Sequence, residues 1–265
     1  MQDDLKLWQS DHLLEVEQAG KGHRRLIKWH VAEEAPIALV YNGQNYAVML
    51  ASPQDLVDFA YGFSLSEGII DAAQDIKAIE IKEKSQGIDV RITLSDERLE
   101  RFQVRQSRRV LVGNSSCGLC GIDSIEALFQ DPQLVADTPA ELTREKVAAA
   151  VGAFGQMQPL KQRTRSVHGA AWVDEAGDIL FVREDVGRHN ALDKLIGAML
   201  QQNSDVTGGY ALVSSRASFE MVFKAIRAKM LGLVCLSAPT ALAIRTAKAA
   251  NLTLCNWSAD GLVLL

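Results

Sequence analysis

The second half of the chain alternates between short apolar runs and amphipathic segments, and this alternation constrains the fold more than any other feature. Strands are predicted at 169–173, 179–183, 210–214, 233–236 and 252–255, and helices at 143–154, 190–201, 219–230 and 240–250. Strands that alternate with helices form layered α/β domains, in which helices cover a sheet. The sequence therefore predicts a larger layered α/β domain over 128–265.

The first half is richer in predicted strands. Alternating apolar residues predict strands at 26–31, 37–41, 46–50, 76–81 and 88–94. Asn42 and Gly43 predict a hairpin turn, and Ser52 to Asp55 predicts a helix N-cap with proline in the first turn. These elements indicate an α/β roll over 24–112, smaller than the domain that follows. A polar arm over 1–23 precedes the roll, and a loop and linker over 113–127 follow it.

Composition limits the classes of protein to which the chain can belong. Of 265 residues, 48% are hydrophobic and 23% charged, which excludes disordered and collagen-like chains. The 28 basic and 33 acidic residues give a net charge of -5, the wrong sign for general binding to nucleic acid or to anionic membranes. The first residues carry no export signal and no apolar run is long enough to span a bilayer, so we expect a cytoplasmic protein without membrane insertion.

Two cysteines at Cys-x-x-Cys spacing, Cys117 and Cys120, lie in a segment of small residues. A zinc site needs more ligands, but Cys235 and Cys255 each lie alone in predicted apolar strands. A thioredoxin-like redox pair follows a strand at the first turn of a helix, and no such unit leads into Cys117. Both alternatives stay open, yet an accessible thiolate that carries sulfane sulfur as a persulfide suits the loop best.

Polar residues also cluster where predicted strands give way to helices. The segment 183–190 ends a strand and opens a helix, a place where backbone N–H groups and the positive helix end bind anions. His168 lies at the mouth of another strand, and 214–220 forms a further strand-to-helix junction. Helix capping, with Ser218 as one cap, and ordinary structural roles explain the same features. The cations available for an anionic ligand are Lys161, Arg163, Arg165, Arg188 and His189.

Four motifs, in this order along the chain, carry a family resemblance. They are SSCGLCG at 115–121, HGAAW at 168–172, EDVGRHNALDK at 184–194 and SSRASFEMV at 214–222. Together they resemble the FdhD family, the formate dehydrogenase accessory sulfurtransferases. The resemblance covers roughly 33–257, and its unbroken run over 184–194 is the most specific part.

The resemblance implies that a cysteine desulfurase delivers sulfur to the cysteine loop, with Cys117 carrying the persulfide and Cys120 as its partner. The sulfur then passes to molybdenum in bis-molybdopterin guanine dinucleotide before this cofactor enters formate dehydrogenase, and GDP would mimic the nucleotide end. A homodimer is also implied, with a cytidine-deaminase-like larger domain that lacks the zinc site. The chain indeed lacks the His-x-Glu and Pro-Cys-x-x-Cys signature of zinc deaminases, and no structural metal is expected.

Two sets of residues are candidates for binding the molybdenum cofactor. By resemblance, the nucleotide-contacting segment falls on Trp257, Ser258, Ala259, Asp260, Gly261 and Leu262. We also expect a cleft at the strand ends, facing the cysteine loop and lined by His168, Asp185, Gly187, Arg188 and His189. The alternative function is that of a non-catalytic chaperone, which would bind and deliver the cofactor without carrying sulfur.

Overall fold

A computed structural model of the protein describes residues 8–20, 23–110, 134–135, 140–204, 206 and 208–265. Within these residues the chain forms sheets of two, four and six strands, with helices packed on the larger two. The predicted mixed α/β class is confirmed. The predicted linker 113–127 and both of its cysteines lie outside the described residues, and the predicted domain boundaries stay a prediction.

The strands are β1 Asp11–Gly20, β2 His23–Ala32, β3 Ala35–Tyr41, β4 Gln44–Ala51, β5 Ile76–Lys84, β6 Gly87–Leu94, β7 His168–Asp174, β8 Ile179–Asp185, β9 Gly209–Arg216, β10 Gly232–Ser237, β11 Thr253–Ser258 and β12 Gly261–Leu264. The helices are α1 Leu56–Ser66, α2 Asp96–Val110, α3 Arg144–Phe154, α4 Pro159–Thr164, α5 Arg188–Gln201, α6 Phe219–Arg227 and α7 Ala241–Ala249. Short 3-10 turns occupy Ala73–Asp75 and Gly155–Met157. The sequence pattern does not predict β1, β12, α2 or α4.

β1 and β2 form an antiparallel ribbon, from Asp11 opposite Ala32 to Gly20 opposite His23. The strand predicted at 26–31 is therefore confirmed, but its partner comes from the segment interpreted as an arm. Both strands lie outside the four-stranded sheet. An ion pair between Arg163 of α4 and Asp11, with N–O distance 2.8 Å, connects the ribbon to the rest of the molecule.

The four-stranded sheet, in the order β4-β3-β6-β5, carries α1 on one face. Its buried core includes Tyr41, Phe59, Phe63, Ile92 and Phe102, the last from α2. The predicted turn between β3 and β4 is confirmed, because Asn42 and Gly43 both have the positive φ, 46° and 81°, that a tight hairpin turn needs. Burial of these aromatic and branched side chains holds α1 against the sheet.

The predicted N-cap of α1 is wrong. Asp55, at φ 53°, precedes the helix and makes no side-chain capping bond, so Ser52 and Pro53 lie before the helix rather than in its first turn. Ser52 is instead fully buried, and its hydroxyl accepts the N–H of Val186 at 3.1 Å. A contact with the other half of the molecule therefore replaces the expected local cap.

The six-stranded sheet has the order β12-β11-β10-β9-β7-β8 and is covered on both faces. Helices α5, α6 and α7 pack on one face around Trp172, Leu192 and Met221, while α3 packs on the other through Phe154. The helix predicted at 143–154 is confirmed as α3, and Thr143 caps it because its Oγ1 accepts the Lys146 N–H. This part of the chain thus forms the layered α/β unit that its alternating pattern predicts.

α1 and α5 pack against each other and join the two larger sheets. Gly62 and Gly197 lie at the point of closest approach, where a Cβ on either residue would overlap the backbone carbonyl of the opposite helix. Only glycine allows two helix backbones to come this close. The contact holds the four-stranded and six-stranded sheets together in one body. Within the described residues, no helix has the length and apolarity needed to cross a bilayer.

Candidate functional site

One end of the six-stranded sheet collects several of the predicted site residues. Strands β8, β9, β10 and β11 end there, and β7, which runs in the opposite direction, begins there. His168 begins β7 and lies opposite Asp185, the last residue of β8. The carboxyl ends of strands are where open α/β sheets bind ligands. The register thus places His168 and Asp185 side by side at this edge, while the predicted cleft facing the cysteine loop stays a prediction.

Asp185 is fully buried, and its carboxylate has four protein partners. Oδ2 accepts the Ser52 N–H at 2.9 Å and lies 2.7 Å from Lys194 Nζ. Oδ1 accepts the Gly187 N–H at 2.7 Å and a side-chain N–H of Asn190 at 3.0 Å. These bonds orient the carboxylate inward, so it shapes the loop that leads into α5.

Glu184 fixes α4 beside this loop. Its two carboxylate oxygens accept the N–H groups of Leu160 at 2.9 Å and Lys161 at 2.7 Å, which are free donors in the first turn of a helix. Burial raises the pKa of Glu184, although the two backbone bonds and the charges of Arg163 and Lys161 oppose this shift. The bonds hold Lys161 at the strand-end edge.

His168 is half-buried and its imidazole is influenced by two cations. Burial lowers its pKa below 6.5, the positive charges of Arg188 and Lys161 lower it further, and Asp185 opposes them. Its Nδ1 lies 3.5 Å from Ser214 Oγ, which also accepts the Gly169 N–H at 2.9 Å. A neutral imidazole leaves Arg188 and Lys161 as the positive charges beside His168, and such cations suit an anionic ligand.

His189 is the second residue of α5, and it lies next to Glu220 of α6. Its Nε2 lies 2.8 Å from Glu220 Oε2 but lacks the alignment of a hydrogen bond. Burial lowers the pKa of His189, as does the charge of Arg188, while Glu220 raises it. Arg188 Nε is likewise buried without a hydrogen-bond partner among the described residues. The first turn of α5 therefore contains two polar nitrogens whose bonding is incomplete.

Asp193 and Lys224 form a second buried ion pair behind this turn. Lys224 Nζ lies 3.0 and 2.9 Å from the two carboxylate oxygens of Asp193. Ser66 of α1 donates to the same carboxylate at 2.7 Å and accepts from Lys224 at 2.9 Å. This network joins α1, α5 and α6 inside the molecule.

The predicted nucleotide segment forms the hairpin of β11 and β12. Trp257 and Leu262 pack against the core beneath α3, and Ser258 Oγ bonds the Gly261 carbonyl and the Asp260 N–H. Ala259 and Asp260 are exposed at the turn. Four strand spacings separate β11 from β8, about 19 Å at the usual 4.8 Å each. Only an extended ligand could contact both this turn and the loop before α5.

The predicted cation cluster divides in two. Lys161 and Arg188 act on His168, whereas Arg163 donates to Asp11 of the ribbon at 2.8 and 3.2 Å. Arg165 is exposed and ends α4 in the left-handed conformation, at φ 58°. The set of cations at the strand ends is therefore smaller than the sequence alone indicates.

Cys235 and Cys255 lie in strands, as predicted, and both are buried; these two strands, β10 and β11, are neighbours in the sheet. Cys235 Sγ donates to the Cys255 carbonyl at 3.3 Å. Burial raises the pKa of both thiols, that of Cys255 to about 12. Both stay protonated at neutral pH and are poor nucleophiles. Among the described residues, which exclude Cys117 and Cys120, no three His, Cys, Asp or Glu side chains are grouped as a metal site would require.

Comparison with known proteins identifies a family that shares both the sequence motifs and the strand-end residues. The model of the FdhD/NarQ family matches residues 32–261. The chain belongs to the FdhD/NarQ family. This match spans both the Cys-x-x-Cys segment and the strand-end residues, and it agrees with the resemblance carried by the four motifs.

Relatives within the FdhD/NarQ family are similar along most of their length. The sulfur carrier protein FdhD of Xanthomonas euvesicatoria pv. vesicatoria is 46% identical over 239 residues, covering 90% of this chain and 84% of its own. That of Cupriavidus necator is 47% identical over 243 residues, covering 91% and 83%. A crystal structure from Desulfotalea psychrophila, provisionally described as a formate dehydrogenase accessory protein, shares the fold with a TM-score of 0.73, 22% identity and 97% coverage of both chains.

Four residues that were not among the predicted site residues also shape the site. Ser52, Asn190 and Lys194 fix the loop through Asp185, and Glu184 holds Lys161 in place. Asn190 and Lys194 lie within the motif at 184–194, so the sequence contained a signal for them. For Ser52 the sequence suggested only a local cap, because its partners are more than a hundred positions away.

Proposed function

We propose that the protein is a sulfur carrier required for formate dehydrogenase activity, which transfers sulfur from a cysteine desulfurase to the molybdenum cofactor. The acceptor is bis-molybdopterin guanine dinucleotide, bound as a substrate before its insertion into formate dehydrogenase. The carrier acts in the cytoplasm as a homodimer. The family match across the Cys117–Cys120 segment is the observation that supports this proposal, together with relatives that are named sulfur carriers.

The transfer requires two thiols. The Cys117 thiolate attacks the terminal sulfur of the desulfurase persulfide, so a new S–S bond forms on Cys117 as the donor S–S bond breaks and the donor thiolate leaves. The Cys120 thiolate then attacks Cys117 Sγ and releases hydrosulfide to the molybdenum. The two thiols supply the two electrons that reduce sulfane sulfur to sulfide, and they are left as a disulfide. A cellular dithiol reductant resets the pair.

Mass spectrometry after incubation with a cysteine desulfurase and cysteine tests sulfur carriage. Cys117 should gain about one sulfur atom, and Cys117→Ala should remove the gain. The buried Cys235 is the matched control, because its raised pKa keeps it protonated, and Cys235→Ala should leave the gain unchanged. No gain on any cysteine would favour the chaperone that only holds the cofactor.

Activation of formate dehydrogenase in cells distinguishes the two cysteines. Cys117→Ala should abolish activation, whereas Cys120→Ala should lower it less, because a small thiol can replace the resolving group. Loss with Cys120→Ala alone would reverse the assigned roles. Full activity of both variants would exclude sulfur carriage as the mechanism.

The strand-end edge is proposed to bind the phosphates of the cofactor's nucleotide. Arg188 and the N–H groups at the start of α5 supply donors there, with Lys161 nearby, in a chain whose net charge is -5. The exposed turn at Ala259 and Asp260 would meet the far end of the extended ligand. His168, Gly187 and His189 would line the edge, and Asp185 would hold its shape.

Titration with GDP by calorimetry tests this edge. Arg188→Ala should weaken binding by roughly 1.5–3 kcal/mol, the value of a charge-assisted hydrogen bond. Arg163→Ala is the comparator, since its guanidinium already bonds Asp11. Unchanged affinity in a folded Arg188→Ala variant would mean that the segment 183–190 only caps the helix and does not bind the nucleotide.

A further inference from the structure

The end of β4 reaches from the four-stranded sheet to the loop before α5. Ser52 donates its N–H to Asp185 at 2.9 Å, accepts the Val186 N–H on its hydroxyl at 3.1 Å and accepts Lys194 Nζ on its carbonyl at 2.9 Å. Two residues earlier, the Leu50 carbonyl accepts the Asn190 side chain at 2.8 Å. Every polar group of Ser52 is thus bonded to the other half of the molecule.

The partners of Ser52 lie on both sides of the turn that starts α5. Asp185 ends β8, Val186 lies in the turn and Lys194 lies in the helix, while Asp185 also bonds the N–H of Gly187, the residue before α5. A single buried residue therefore fixes the end of the strand, the turn and the helix at once. Strand-to-helix turns that bind anions depend on such fixed backbone N–H groups.

We propose that Ser52 is a positioning residue for the anion site at the start of α5. It touches no ligand and acts through Asp185 and Val186, so the smaller sheet completes a site whose ligand-binding groups belong to the larger one. This inference rests on the proposed nucleotide site. It assigns a binding role to a segment in which the sequence suggested only a helix cap.

The molecule contains a matched control for this role. Ser66 is also a buried serine at the α1–α5 interface, and its hydroxyl likewise bonds across that interface, to Asp193 and Lys224. Its contacts lie along the helices and do not reach Val186 or Gly187. Removal of either hydroxyl takes away buried hydrogen bonds at the same interface, but only Ser52 bonds the turn.

The experiment compares Ser52→Ala and Ser66→Ala by GDP titration and thermal melting of the full-length protein. We expect both variants to melt at a lower temperature than the wild type. Ser52→Ala should raise the Kd for GDP about five- to tenfold, because the Val186 N–H loses its acceptor and the turn loosens. Ser66→Ala should change the Kd by less than about twofold, since it lowers stability at the interface without loosening the turn.

Hydrogen exchange at the Val186 amide, measured relative to other amides, separates a local opening of the turn from a change in global stability. Exchange at the Val186 amide should accelerate in Ser52→Ala and stay unchanged relative to other amides in Ser66→Ala. Should Ser52→Ala fail to fold, Ser52→Cys keeps an atom at the γ position, a sulfur somewhat larger than the hydroxyl oxygen, and replaces the hydroxyl with a weak acceptor. The same rise in Kd is then expected.

The outcomes separate this inference from the proposed function. GDP binding that weakens in Arg188→Ala but stays normal in both Ser52 variants would refute the positioning role alone. Equal losses of affinity in Ser52→Ala and Ser66→Ala would refute it too, since the effect would then follow interface stability. A wild-type protein that binds no GDP would instead overturn the nucleotide site itself.

Discussion

The interface between the two larger sheets and the β1–β2 ribbon both use pairs of opposite charges, but these pairs differ in exposure. At the interface, Lys194 and Asp185 are both 0% exposed and 2.7 Å apart. On the ribbon, Arg163 and Asp11 lie at a similar distance, 2.8 Å, yet the arginine is 42% exposed. Similar chemistry thus occurs in two dielectric environments within one chain.

This difference determines what each pair can do. A buried pair adds little net stability, but loss of one partner leaves a charge stranded in low dielectric, so the pair enforces one arrangement of its surroundings. A pair open to solvent is screened and can exchange its partner for water at small cost. The interface pair is therefore suited to holding a binding loop, and the ribbon pair only to tethering an outer element.

The largest effect should follow from Lys194→Met. Asp185 would keep its charge in a fully buried place without its cation, at a cost of about 3–5 kcal/mol in the free energy of unfolding. Equilibrium unfolding in urea measures this cost. Lys82→Met is the control, since Lys82 lies in an exposed pair with Glu80 and its loss should cost less than about 1 kcal/mol.

The double variant Lys194→Met with Asp185→Asn sharpens this result. Removal of both charges should recover part of the lost stability, because no uncompensated charge remains. Equal costs for Lys194→Met and Lys82→Met would contradict the view that the interface pair is desolvated.

Gly197→Ala should have the next largest effect. The new methyl group would overlap the Asp58 carbonyl, so α1 and α5 must separate, and such overpacking costs about 1–3 kcal/mol. Gly152→Ala in α3 is the matched control, because a Cβ there meets nothing within 4 Å. It should stabilise the protein by about 0.5–1 kcal/mol, the usual gain in a helix interior. A neutral Gly197→Ala would mean that the two helices are not held at this distance.

All strands of the six-stranded sheet except β12 could be predicted, because they are short apolar runs that alternate with amphipathic segments. The β1 strand could not, since Leu13 and Leu14 are neighbours and blur the alternation that identifies a half-exposed strand. The α2 helix could not be predicted either, because it has too few apolar residues to show a helical repeat. It is dominated by charged residues, and Leu99 and Phe102 are the few apolar side chains on its described part that face the core.

The site was predictable only as far as local sequence reaches. His168 and the residues from Asp185 to His189 could be assigned to strand ends, and antiparallel pairing of β7 with β8 brings them together. The contacts of Ser52 could not be predicted, because they depend on how two sheets dock across 133 positions of sequence. A separate contact, between α4 and the ribbon, pairs Arg163 with Asp11, and this could not be predicted from local sequence either.

A smaller effect should come from the charge state of His168. Burial, together with Arg188 and Lys161, lowers its pKa below 6.5 in the folded protein. The unfolded chain therefore takes up this proton first as pH falls, so the free energy of unfolding should decrease below about pH 6.5 until the folded pKa is passed. NMR titration of the imidazole measures that pKa directly.

Arg188→Gln should raise the pKa of His168, since one of the two nearby cations is removed. Arg165→Gln is the comparison, because that arginine is exposed and is not among the charges that act on His168. Identical titration curves for the wild type and Arg188→Gln would separate Arg188 from the strand-end edge and weaken its assignment to the anion site.

The smallest effect should follow from Arg163→Ala. The pair with Asp11 is partly open to solvent, so its loss should cost less than about 1 kcal/mol at neutral pH, and less again at high salt. The hydrogen bond from Arg163 is the main reason that the pKa of Asp11 is lowered from 3.8 to about 2, with His30 contributing. In the variant, this pKa should therefore move back towards 3.8.

Acid titration tests whether the small effect at neutral pH comes from the charge of Asp11. Because folding lowers the pKa of Asp11, its contribution to stability is complete above pH 3.8 and is lost as pH falls through about 2. Arg163→Ala should flatten this acid limb of the stability curve: the variant should be less stable than the wild type above about pH 3.8, by the small amount expected for a partly exposed pair, and this difference should vanish as pH falls through about 2. If the variant instead lost as much stability as Lys194→Met, the ribbon would belong to the cooperative core, and the contrast in burial would not determine the cost of breaking a charge pair in this protein.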